Sequence, residues 1–136
     1  MQTIAAQSNT EAYYSGEVLI FLIITETARA PTRVQKMLSI EYIREAIIFT
    51  DPTDDFYFRI QETLEYLVFE GSENPPQRIR YRNQYEFPDV RIEAVRILGT
   101  LNTTEAGNAL RELLLHEKNT DVLYEAENAL SRLGEK

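Results

Sequence analysis

The amino-acid sequence predicts an all-α protein, about six to seven helices stacked as antiparallel pairs into an extended array. Three observations predict it. One segment recurs at an offset that fits a single helix–turn–helix unit. Apolar residues fall at helical spacing through most of the chain. Helix start and stop signals bracket those stretches.

The recurring segment is Asp89-Val-Arg-Ile-Glu-Ala-Val-Arg-Ile-Leu-Gly99, matched 32 positions on by Asp121-Val-Leu-Tyr-Glu-Ala-Glu-Asn-Ala-Leu-Ser131. Asp, Val, Glu, Ala and Leu repeat, and Leu101 returns as Leu133. Asp89 and Asp121 are expected as N-caps, where a carboxylate accepts unpaired backbone N–H groups and complements the helix dipole. Pro88 discourages helix before the first of them. Ala94 and Ala126 are small enough for a neighbouring helix to approach closely. Val95, Leu98 and Leu101 form an apolar stripe. The second helix of the unit is expected over 104–116, with Ala106, Ala109, Leu110, Leu113 and Leu114 inward and Thr103 or Thr104 as its cap. Asn119 and Thr120 turn the chain into the next helix.

The run from Asp89 to Gly134 resembles the short HEAT repeats of phycobilisome-lyase-type HEAT proteins. It shares the Asp-Val-Arg start, the Ala five residues after the Asp, the Leu-Gly at the end of the first helix and the Leu-rich second helix. The resemblance covers residues 85–134 and implies a right-handed α-α superhelix, an armadillo-like helical solenoid. It is specific for fold and nearly silent on function. The second copy has Leu123 where the first has Arg91, which suggests that this position faces a neighbour.

Upstream, helical patterning continues in a degenerate form over 15–87, so that 11–136 reads as one repeat domain with clear repeats over 88–136. Residues 56–69 follow Asp54-Asp55 and precede Gly71. At an offset of 31, Thr63, Leu64 and Leu67 align with Ala94, Val95 and Leu98. Residues 32–49 follow Pro31 and place Val34, Met37, Leu38, Tyr42, Ile43, Ala46 and Ile47 on one face. The run Val18–Ile24 is β-branched enough for a buried strand. Helix is the better reading of 15–28, because a lone strand among helices has no sheet to join. Residues 1–10 are expected to be disordered. Residues 71–76 read as a loop, and 77–86 as either a helix or an ordered insertion.

Composition limits the chemistry. The chain has 136 residues, a formal charge of −8 and no Cys. No disulfide framework, thiol nucleophile or thiolate metal site is available. An acidic chain repels nucleic-acid phosphates unless its basic residues are segregated. The longest apolar run is far shorter than the roughly 20 residues that cross a bilayer. Residues 1–10 carry no basic region, so no signal peptide is expected. The compartment reads as cytoplasmic by default, with a secreted or periplasmic mature fragment left open.

The candidate partner-binding residues are Arg78, Arg80, Tyr81, Arg82 and Tyr85, with Arg111 on the inner wall of the array. Arginine and tyrosine supply planar donors and rigid aromatic area. The plainer account is that these arginines pair with Glu73, Glu86 and Glu93. Asp51, Asp54 and Asp55 resemble the start of a cation loop, but Phe56 stands where the loop glycine belongs, so turn formation and capping explain them better. His116 is the only histidine, and its place in the last turn of a helix suits the dipole rather than catalysis. No catalytic residue, metal site or cofactor is expected.

The function expected is a non-enzymatic protein-interaction scaffold, its inner wall near Arg111, Glu112, Leu115 and residues 77–85. Alternatives are a tetrapyrrole-lyase-like protein, as the resemblance implies, or a segment of a larger scaffold. Self-association through the last helix is a further alternative, since that helix has no partner after it. Glu125, Glu127, Asn128 and Arg132 instead favour a polar cap there.

Overall fold

The computed structural model describes residues 18–70 and 87–134, and these form helices joined by short turns, with no strand among them. Residues 18–29 form α1 as far as it is described. Then follow α2 (Arg33–Phe49), α3 (Asp55–Phe69), α4 (Pro88–Leu98), α5 (Thr104–His116) and α6 (Thr120–Arg132). The helix reading of 15–28 therefore holds from residue 18. The expected N-terminal disorder, the 71–76 loop and the 77–86 element lie outside the described residues.

The helices form two layers. In one, α4 lies between α2 and α6; in the other, α3 packs against α5. α1 lies beside α3 in the second layer, its Phe21 ring edge-on to Phe56 at 6.3 Å. The core between the layers is one apolar cluster that includes Ile24, Ile43, Leu64, Leu67, Leu98, Leu110 and Val122.

The first-layer helices are equivalent residue by residue. Their N-caps are Thr32, Phe87 and Asn119. Seven residues on stand Ser39, Ala94 and Ala126; eleven on stand Ile43, Leu98 and Leu130; all six are buried. The small residues let the layers close and the large ones fill the core. The offset is 32 between α4 and α6 (91 against 123) but 55 between α2 and α4 (36 against 91).

This phase corrects four expectations. The 31-residue alignment of Thr63, Leu64 and Leu67 with Ala94, Val95 and Leu98 pairs helices of different layers; α2 is the true counterpart of α4. Of the expected face of α2, Ile43 is buried and Met37, Tyr42, Ala46 and Ile47 pack against the core, but Val34 and Leu38 are 74% and 42% exposed, and Lys36, Ser39 and Ile40 are buried in their place. Asp89 and Asp121 are not caps but first-turn residues. Pro88 starts α4, Phe87 holds the cap position without a side-chain bond, and Asp89 instead binds Arg33 of α2. Finally, Leu101 ends beyond α4 in the turn, although it is buried there.

Local chemistry sets the other boundaries. The Thr103 hydroxyl accepts from the Ala106 N–H at 3.2 Å, and Asn119 Oδ1 accepts from Asp121 and Val122. α6 ends on Gly134, whose φ of +81° is a left-handed conformation that suits glycine. Gly99 has an ordinary φ but no room: a Cβ there would lie 2.6 Å from the Cβ of Ala129. The Leu-Gly end of α4 is thus a close-approach point between α4 and α6.

Candidate partner-binding groove and its buried supports

α1, α3 and α5 together line a groove of about 730 Å³. α1 contributes Phe21, Thr25, Ala28 and Arg29; α3 contributes Phe58, Arg59, Glu62, Thr63, Glu65 and Tyr66; α5 contributes Glu105, Asn108 and Glu112. These are the second-layer helices, the ones expected to carry the inner wall, and the groove lies on that layer. Phe58 is 47% exposed at the groove, while Tyr66 and Glu65 are buried in its lining. Four carboxylates face two guanidinium groups, and one of those, Arg59, is held by Asp55 at 2.9 Å. That carboxylate keeps the Arg59 guanidinium more firmly protonated than an isolated arginine. The wall is therefore aromatic and net acidic.

Two buried ion pairs, one of them bonded to residues of the groove lining, were missed by sequence reading. Lys36, fully buried in α2, donates to the Ala28 carbonyl of α1 at 2.7 Å. It also meets Glu70, the C-cap of α3, at 2.7 and 2.8 Å. Tyr66 in the groove lining donates its hydroxyl to Glu70 at 2.7 Å. Arg91 in α4 repeats the arrangement one unit on. Its Nε donates to the Val68 carbonyl of α3 at 2.9 Å, and its guanidinium binds both oxygens of Glu117, the C-cap of α5. Each cation thus joins the end of the preceding second-layer helix to the end of the next. Polar positions in a periodic pattern are normally assigned to solvent, which is why neither pair was expected. The signal available was the Arg of the Asp-Val-Arg start. Leu123 occupies the corresponding place in α6, half-buried.

The expected inner-wall residues divide. Glu112 lines the groove. Arg111 is exposed, lies over Gly107 and donates to Asn108 Oδ1 at 2.7 Å. Leu115 is 77% exposed and is not in the lining. Arg78, Arg80, Tyr81, Arg82 and Tyr85 lie outside the described residues. Glu93, considered as a partner for those arginines, binds Arg44 and Arg96.

The Asp51–Asp55 cluster makes a turn and a cap. Asp51 Oδ1 accepts from the Thr53 N–H at 2.9 Å and its hydroxyl at 2.7 Å, bonds that hold the Asp51 carboxyl below its usual range. Asp54 accepts from Phe56 at the start of α3. Among the described residues no His, Cys, Asp and Glu group is arranged to hold a metal ion. No described helix is long and apolar enough to cross a membrane.

Residues 80–136 match the family model of HEAT repeats. The stretch contains α4, α5 and α6, so this part of the array is a HEAT-like helical repeat, an element that mediates protein interactions in that family. No curated protein and no solved structure matches the chain significantly.

Proposed function

We propose that the protein is a non-enzymatic interaction module of HEAT-repeat type that receives a basic segment of a partner protein along the α1–α3–α5 wall. The observation that carries this reading is the lining of the groove, where Phe21, Phe58 and Tyr66 stand among Glu62, Glu65, Glu105 and Glu112. Aromatic area gives affinity at low entropic cost, and a carboxylate-rich wall selects and orients cationic side chains. The Lys36–Glu70 pair ties Ala28 of α1 to Tyr66 of α3 in this lining, which supports a wall formed before a partner arrives.

Fluorescent peptides of equal length, basic, neutral and acidic, each bearing an aromatic residue, test the proposal. The basic peptides bind, binding weakens as salt is raised, and a Glu62→Lys/Glu105→Lys variant loses at least about tenfold in affinity. Equal binding of acidic and basic peptides, or no effect of the double variant, overturns it. Changing Arg78, Arg80 and Arg82 together to Ala leaves these carboxylates in place. It therefore separates any contribution of that basic group from the contribution of the groove.

A further inference from the structure

One end of the groove sets an aromatic ring beside two carboxylates. Phe58 is exposed on α3, and Glu62 follows it one turn later on the same face, about 6 Å along the axis. Glu105 faces them from α5. Arg91 ties the ends of α3 and α5 together, so these helices are parallel neighbours. Their C-caps Glu70 and Glu117 are equivalent, met by Lys36 and Arg91. Phe58 stands twelve residues before Glu70, and Glu105 twelve before Glu117. The ring and the second carboxylate are therefore level across the groove. Arg59, the cation next to Phe58, is held by Asp55. Glu62 and Glu105 make no hydrogen bond or ion pair among the described residues. Arg29, the other guanidinium of the lining, stands eight residues beyond Phe21 on α1, about 12 Å along the axis.

We infer that this end of the groove is a subsite for one arginine side chain of the partner, its guanidinium stacked on Phe58 and bonded to Glu62 and Glu105. The inference rests on the groove reading above and adds which cation the segment must carry. Ring and carboxylates together ask for two properties in one group. The ring face attracts a cation, and a flat, weakly hydrated one gives up least on leaving water for it. Carboxylates on two helices ask for donors that diverge in one plane. A guanidinium has five N–H groups in a fixed fork, so it can donate from its edge while its face covers the ring. An ammonium meets carboxylates as well, but it is compact, strongly hydrated and has no flat face. Phe58 is thus the residue that tells the two cations apart, and the carboxylates only demand a positive charge. The neutral side chains of the lining are already engaged. Thr25 and Thr63 donate to the Phe21 and Arg59 carbonyls of their own helices, and Asn108 Oδ1 accepts from Arg111.

Two fluorescent peptides of one sequence, every cation arginine in the first and lysine in the second, test this against the full chain. The arginine peptide binds more tightly by at least about threefold. Phe58→Leu abolishes that preference by weakening the arginine peptide while the lysine peptide is little changed, and Phe58→Tyr keeps it. Glu105→Gln weakens both peptides. All three variants keep the helical circular dichroism of the parent, since both positions are exposed. Equal affinity for the two peptides, a preference that survives Phe58→Leu, or a Glu105→Gln change without effect on the arginine peptide overturns the subsite and leaves the groove reading standing. If neither peptide binds, both fall.

Discussion

Lys36 and Arg91 stand at the same place in two successive units, the fourth residue of α2 and the fourth of α4, and each is bonded to a carbonyl behind it and a carboxylate ahead. Removing one partner of such a buried pair strands the other. Arg91→Met is expected to cost about 3–5 kcal/mol by leaving the Glu117 carboxylate without a cation. The Arg91→Met/Glu117→Met double variant costs clearly less than the two single changes summed. Urea unfolding of the four proteins reads the difference.

Lys36→Met is expected to destabilise by a similar amount, about 3–5 kcal/mol, with a second effect that Arg91→Met lacks. Glu70 bonds Lys36 and also Tyr66 in the groove lining. Loss of the cation leaves the Glu70 carboxylate that Tyr66 bonds without its buried counter-charge, so basic-peptide affinity falls in Lys36→Met and is retained in Arg91→Met under conditions where both remain folded. Fluorescence titration at matched temperature checks it.

Gly99→Ala is expected to destabilise by about 1–3 kcal/mol, the usual cost of overpacking. The new Cβ meets Ala129 Cβ at 2.6 Å and Ala129 Cα at 3.0 Å, so main chain as well as side chain must move. Adding Ala129→Gly relieves the nearer contact and recovers part of the loss. Thermal unfolding of the single and double variants separates this steric account from a conformational one, because Gly99 has a φ of −69° that alanine adopts freely.

Gln61 is 2% exposed. Its Oε1 accepts from the Thr103 hydroxyl at 2.7 Å, while its Nε2 has no partner among the described residues. A buried donor left unpaired is costly. Gln61→Met, similar in size, is expected to stabilise the protein by about 1 kcal/mol after the lost Thr103 bond is counted. Chemical denaturation gives the sign directly.

The Arg33–Asp89 pair between α2 and α4 gives a pH-dependent term. The hydrogen bond from the Arg33 guanidinium holds the Asp89 carboxyl below its ordinary value of 3.8. A carboxyl lowered in the folded state adds stability above its unfolded pKa and loses it as pH falls through the folded one. Both side chains are about half exposed, so an Arg33→Ala/Asp89→Ala cycle at neutral pH yields about 0.2–1 kcal/mol of coupling. The coupling disappears as pH falls through the lowered pKa of the folded Asp89 carboxyl, which is then protonated.

The helices were legible because caps and apolar spacing act locally. Residues 104–116 are bounded by Thr103 and Glu117 as the pattern implies, and α3 begins one residue before its expected start. The phase of α2 was legible only in part, with Met37, Tyr42, Ile43, Ala46 and Ile47 against the core as expected. An apolar count turns Val34 and Leu38 inward, whereas Lys36 is drawn in by Ala28 and Glu70, partners 8 and 34 positions away. The equivalence of α2 with α4 was hidden by the longer connection between them, since a search at one period cannot follow units whose spacing changes from 55 to 32. The groove escaped for a related reason. Phe21, Phe58 and Glu112 come from three helices that only the layer packing sets side by side.

Leu123 leaves α6 without the polar rivet that fastens α2 and α4. What secures this helix is the Ala129 contact at Gly99, its buried apolar seam and the exposed Arg96–Glu125 pair. The array should therefore come apart in a set order: backbone amides of α6 trade hydrogen for deuterium while those of α4 are still protected.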